Sequence, residues 1–125
     1  MATGDERTQQ LQNRMKRFVL DTVHFCEGLP NTYACKTFSN QLIRSSSSVS
    51  ANYRAACRAK SDPDFINKMK IVEEEADESI HWFELLMELH GVDREKAAML
   101  AREAAEFLAI TVASIKTVRT RMNRK

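Results

Sequence analysis

Glycine and proline are scarce, at 3 and 2 among 125 residues. Hairpin turns and strand edges lean on both, and no alternating run of Val, Ile and Thr is long enough to form a ladder. The shortage points to helices. No apolar run approaches the ~20 residues needed to cross a bilayer, so no membrane association is expected. The N-terminal stretch Met1-Ala2-Thr3-Gly4-Asp5-Glu6-Arg7 lacks the basic-then-apolar layout of a secretory signal. Cysteine is limited to Cys26, Cys35 and Cys57, odd in number, widely spaced and without a Cys-x-x-Cys pair. That usage argues against a disulfide framework and for a reducing, cytoplasmic setting.

Acidic residues are missing altogether from 31 to 60, where five basic side chains stand. Residues 61 to 90 then carry nine acidic and two basic groups, and 91 to 125 are basic again by four. A net charge of +2 therefore conceals blocks of alternating sign.

What is present is helical periodicity. Leu11, Met15, Phe18, Thr22 and Phe25 recur at three- and four-residue steps and predict a first helix over about 7–26. Gly28-Leu29-Pro30 ends it, and Asn31 or Thr32 can cap the next. Phe38, Leu42, Ser45, Val49, Asn52, Ala56 and Ala59 keep the same spacing over 33–60. The tract Ser45-Ser46-Ser47-Ser48 is read as a helix with a small-residue face rather than as a linker, because no Gly or Pro interrupts it. Ser61-Asp62-Pro63-Asp64 starts a third helix over 63–90, with Ser61 or Asp62 as its cap. Its stripe is Phe65, Met69, Val72, Ala76, Ile80, Phe83 and Met87. After Gly91, Asp93 caps a fourth helix over 94–122. This one has two seams: Leu100, Ala104, Phe107, Thr111, Val118 and Met122, and beside them Ala101, Ala105, Leu108, Val112 and Ile115. So wide an apolar face calls for burial on two sides, inside the bundle or across a subunit contact. The reading is one all-α domain over 1–125, an antiparallel up-down-up-down four-helix bundle with frayed ends.

Three stretches carry a resemblance. They are Arg44-Ser45-Ser46-Ser47-Ser48-Val49-Ser50-Ala51-Asn52-Tyr53-Arg54-Ala55-Ala56-Cys57-Arg58-Ala59, Ser61-Asp62-Pro63-Asp64-Phe65 and Ile71-Val72-Glu73-Glu74-Glu75-Ala76-Asp77-Glu78-Ser79-Ile80-His81-Trp82. Together they resemble the four-helix-bundle family named after proteins encoded in intervening sequences of 23S ribosomal RNA genes. The resemblance implies a homopentamer. A related branch, the accessory variability protein of diversity-generating retroelements, is a strongly basic pentamer that binds nucleic acid and a reverse transcriptase. Val49-Ser50-Ala51-Asn52 stands where many members have Ile-Pro-Ala-Asn, and Ala55-Ala56 where they have Glu-Gly.

Candidate chemistry is thin. Glu78-x-x-His81 and Asp21-x-x-His24 have the helical spacing of di-iron ligands, but such sites also draw a carboxylate from each remaining helix. Glu103 and Glu106 are available on the fourth; the second has none. Cys57 lies near Arg54, Arg58 and Lys60 without a positioned base. No catalytic residue, metal ligand or cofactor is assigned, and no enzyme activity is expected. Arg44, Arg54, Arg58 and Lys60 on the second helix and Lys116, Arg119, Arg121, Arg124 and Lys125 near the end are candidates for phosphate or partner contact. The competing use is pairing with Glu73, Glu74, Asp77 or Glu78 of the acidic third helix. Trp82 adjoins Phe83 about 100° around the helix, so it is placed over an adjacent helix or a subunit boundary. The functional expectation is an oligomeric interaction or scaffold protein, with RNA binding, or contact with a nucleic-acid-associated protein, as the alternative.

Overall fold

The computed structural model describes residues 4–124. Four helices, α1 (Gly4–Glu27), α2 (Tyr33–Ala56), α3 (Asp62–Met87) and α4 (Arg94–Asn123), follow one another, and the described residues contain no strand. Each helix packs on its neighbour in sequence and α4 closes onto α1, leaving α1–α3 and α2–α4 as the diagonals. Direction reverses at each step. Phe38, early in α2, meets Trp82, late in α3, while Ser45 meets the earlier Ser79. This is the antiparallel up-down-up-down bundle. Of the fraying expected in the first few residues and at Asn123-Arg124-Lys125, Asn123 instead stays within α4 with Arg124 as its C-cap, and residues 1–3 and Lys125 lie outside the described residues.

The caps settle the open alternatives. Thr32, not Asn31, opens α2: its hydroxyl accepts from the Cys35 amide at 3.1 Å. Ser61, not Asp62, opens α3 by accepting from the Asp64 amide at 3.2 Å, with Pro63 in the first turn. Asp93 opens α4 by accepting from the Lys96 amide at 3.1 Å. At the other ends, α2 stops at Ala56 and α3 at Met87, short of the expected 60 and 90. Arg58 and Ala59 donate to the carbonyls of Ala55 and Ala56 in tighter three-residue turns, because extended Ser61 must follow within five residues of Ala56. Arg58 and Lys60 therefore belong to the α2–α3 turn and not to α2.

Phe18, Phe83 and Phe107, one each from α1, α3 and α4, meet edge to face at the centre, with centroids 6.3 and 5.4 Å apart. The serine tract is continuous helix. Ser45 is fully buried, 2.8 Å from Ser79 of α3, and these small side chains bring the two helices close. In α3 the buried set includes Ile66, Ser79 and Leu86, whereas Phe65, Ile80 and Met87 of the expected stripe are half-buried. The first seam of α4 is buried from Leu100 to Val118, as is Ile115. The rest of the second seam is not: Ala101 and Leu108 are half-exposed, and Ala105 and Val112 face solvent.

Candidate interaction surface

No acidic residue occurs anywhere in α2. At 100° per residue, Tyr33, Asn40, Arg44, Ser47, Ala51 and Arg54 share the side of the helix turned away from the core, and all are exposed. Arg58 continues this side into the turn. Within this strip the cations divide into two groups with different surroundings.

Arg44 is engaged. Its guanidinium donates to Glu75, at 3.2 Å on the nearer oxygen, and to Glu78 on α3. Those hydrogen bonds, Glu78 first, raise its pKa above the ordinary guanidinium value. Glu78 also accepts from the Trp82 indole N–H at 3.0 Å, so one carboxylate ties Arg44 to Trp82. The Trp82 ring stacks on Phe38 of α2, with centroids 5.7 Å apart and planes 28° apart. Trp82 thus covers the adjacent helix. The His81 ring stands edge-on to it at 5.0 Å and is exposed. Among the described residues, no three His, Cys, Asp or Glu side chains gather as a metal site.

Arg54, Arg58 and Lys60 are the second group. With Lys68 of α3 they line a shallow groove of about 440 Å³ floored by Ala51 and Ala55. Asp64 is the one carboxylate there; Lys68 bonds it at 3.1 Å and holds it below the usual carboxylate range. Arg54 and Arg58 have no ion-pair partner among the described residues. Arg44 stands ten residues from Arg54, about 15 Å along the helix, so it is not part of this group.

The C-terminal cations divide in the same way. Arg121 pairs with Asp62 at 2.8 Å. That contact and Lys60 line one end pocket of about 580 Å³, together with Asp5, Thr8, Tyr53 and Cys57. Arg119 is exposed and outside that lining, as are Lys116 and Arg124; Lys125 lies outside the described residues. The buried Tyr53 phenol is pushed above its ordinary pKa, by burial first and then by Cys57.

A further cation was missed in the sequence. Arg14 of α1 clamps Glu103 of α4 at 2.8 and 2.6 Å, reaches Glu106 at 2.6 Å, and lies 5.1 Å over the Phe107 ring. The available signal was the carboxylate pair three apart on α4, set against Arg14 beside Met15 of the α1 stripe.

No helix among the described residues is long and apolar enough to cross a membrane. The profile of the 23S rRNA-intervening sequence protein family matches residues 7–113, a span that stops short of Lys116, Arg119 and Arg121. No curated protein matches. Among solved structures, the chain is similar to a protein of unknown function from the S23 ribosomal protein family of Bacteroides thetaiotaomicron. The two are 31% identical, with a TM-score of 0.76, over 84% of this chain and 97% of that one. With four antiparallel helices over the same span, the chain belongs to the 23S rRNA-intervening sequence protein family.

Proposed function

We propose that the chain is a non-enzymatic interaction protein that self-associates and presents a repeated surface to a macromolecular partner. The observation that carries this is the uncovered seam of α4. Ala98, Ala101, Ala105, Leu108, Ala109 and Val112 form one stripe, half-exposed or exposed throughout, and Val112 keeps 46% of its surface in water. Ala101 and Leu108 pack partly against the core, and Ala105, Ala109 and Val112 are left in solvent. A stripe of this kind is ordinary for a helix that continues into a neighbour and unusual for one facing solvent. Five copies is the number the family resemblance implies. Light scattering behind size exclusion tests the reading: a mass several times 14.3 kDa at micromolar concentration is expected. A monomer at that concentration overturns it.

A second reading, RNA binding, is supported by the groove of Arg54, Arg58, Lys60 and Lys68. Repetition of so small a patch around an oligomer would raise its avidity without any new contact. Filter binding of a single-stranded RNA across a salt series tests it, since phosphate contacts weaken steeply with salt. No retention at low salt rejects it.

A further inference from the structure

Cavities border α1 on both sides. Toward α4 they lie at the two ends of the contact. At one end Asp21, His24 and Phe25 face Lys96 and Met99 across about 270 Å³, and Met99 keeps 56% of its surface exposed in that gap. At the other, Asp5 and Thr8 face Ser114, Val118 and Arg121 across the end pocket of about 580 Å³. Toward α2, a groove of about 440 Å³ separates Val19 and Leu20 from Ser47, Ser50 and Ala51, and Leu20 is 60% exposed. The α1–α4 pair is the least engaged of the four neighbouring pairs of helices. Between its two end gaps, Arg14 spans the seam to Glu103 and Glu106.

We infer that α1 is a lid on a three-helix platform, latched to α4 by Arg14 and hinged at residues 28–32. The closed form dominates because Met15, Phe18 and Phe25 are buried, with Phe18 edge-on to Phe107. Its seat is the least secure in the bundle for two reasons beyond the gaps. Thr22 buries a hydroxyl with no partner among the described residues, a cost borne by the closed seat and relieved when the hydroxyl reaches water. The α2 wall facing α1 is made of Ser and Ala, which offer little apolar surface to Leu20. The hinge end is the fixed one, since Pro30 lies close against Gly91 of the α3–α4 turn. The swing therefore belongs to the N-terminal end of α1. Opening bares Phe83 and Phe107, with Glu103 and Glu106 beside them. Lids are drawn from the low-stability end of a fold, because they must open without unfolding the rest.

Arg44 supplies a matched contrast. It too bridges two glutamates three residues apart, Glu75 and Glu78, but between α2 and α3. There Ser45 meets Ser79, and Phe38 stacks on Trp82 along the same contact. Losing that bridge leaves a closely packed pair. Losing the Arg14 bridge leaves α1 seated between gaps.

Hydrogen exchange of the full chain, read by mass spectrometry, tests the lid. Peptides within 11–25 of α1 are compared with peptides within 66–83 of α3. In the parent the α1 peptides are expected to exchange at least about tenfold faster. Arg14→Met keeps an apolar stem over Phe107 and removes the guanidinium. It is expected to widen that ratio by about three- to tenfold. Thr22→Val is expected to narrow it by about fivefold. Arg44→Met is expected to leave it unchanged. If circular dichroism shows that Arg14→Met unfolds, Glu103→Gln with Glu106→Gln weakens the latch from the other side and is read in its place. Equal protection of α1 and α3 in the parent, or an Arg14→Met effect spread evenly over all four helices, overturns the lid. So does an Arg44→Met effect on α1 as large as that of Arg14→Met.

Discussion

At the residue scale, two buried hydroxyls at equivalent depth behave differently. Thr111 on α4 is fully buried and donates to the Phe107 carbonyl at 2.7 Å; Thr22 on α1 is as deeply buried, and its hydroxyl has no partner among the described residues. An unpaired buried hydroxyl costs about 1–3 kcal/mol relative to one that is hydrogen-bonded. Thr22→Val, which keeps the shape and removes the hydroxyl, is therefore expected to raise stability by about 1 kcal/mol in urea denaturation. Thr111→Val is expected to be neutral or worse. Sequence periodicity placed both threonines inward, but each has an i−4 carbonyl within reach, so pairing depends on the χ1 rotamer that the packing selects, and spacing does not encode that. Cys26 gives a second residue-scale expectation. Burial, and then Glu27, push its thiol from 9.0 up to about 12. The folded chain thus holds a proton that the unfolded chain releases between pH 9 and 12, so this group lowers stability as pH rises through that window. Alkylation of Cys26 at pH 8 should run well below the rate of an unperturbed thiol, as read by mass spectrometry of the labelled peptide.

Glycine illustrates what the element scale adds. Gly28 and Gly91 both punctuate helices in the sequence, yet only Gly91 takes a left-handed backbone, at φ +83°. A Cβ there would also come within 3.1 Å of the Pro30 ring, the point where the α3–α4 turn rests on the α1–α2 turn. At Gly28 the nearest atom to such a Cβ is a carbonyl at an ordinary 3.6 Å. Gly91→Ala is expected to cost about 1–2 kcal/mol, and Gly28→Ala less than about 0.5 kcal/mol, in parallel thermal melts. Equal losses would contradict the backbone assignment. All four helices were legible because each carries a period and a start or stop signal. Their ends were less so: Ala59 continues the α2 spacing and carries Arg58 and Lys60 with it, and only the demand of Ser61 for an extended backbone takes them out of the helix. The α3 core drifted for a similar reason. Phe65 and Ile66 are adjacent and both apolar, and the packing partner, not the pattern, selected Ile66.

At the scale of the whole molecule, the alternating charge blocks become faces, and pairing across them decides which cations remain for a ligand. Sequence could count the arginines of 31 to 60 but could not say which were engaged, since Arg44 meets α3 only once the helices are antiparallel and in register. In the folded chain Glu75 and Glu78 hold Arg44, Asp62 holds Arg121, and Glu103 and Glu106 hold Arg14. A phosphate backbone would have to displace carboxylates from these three, whereas Arg58 and Lys60 stand in an exposed turn beside Arg54 and Lys68. If RNA binds, Arg58→Glu with Lys60→Glu should reduce retention at least tenfold and flatten the slope of log affinity against log salt by about 1.4 to 2, roughly one phosphate per lost cation. Arg44→Ala should leave the slope unchanged. Neither variant touches the α4 seam, so the scattering mass should stay that of the parent, separating loss of a ligand from loss of assembly. A slope that responds to Arg44 and not to Arg58 and Lys60 would place the phosphates along the middle of α2 and reject the groove.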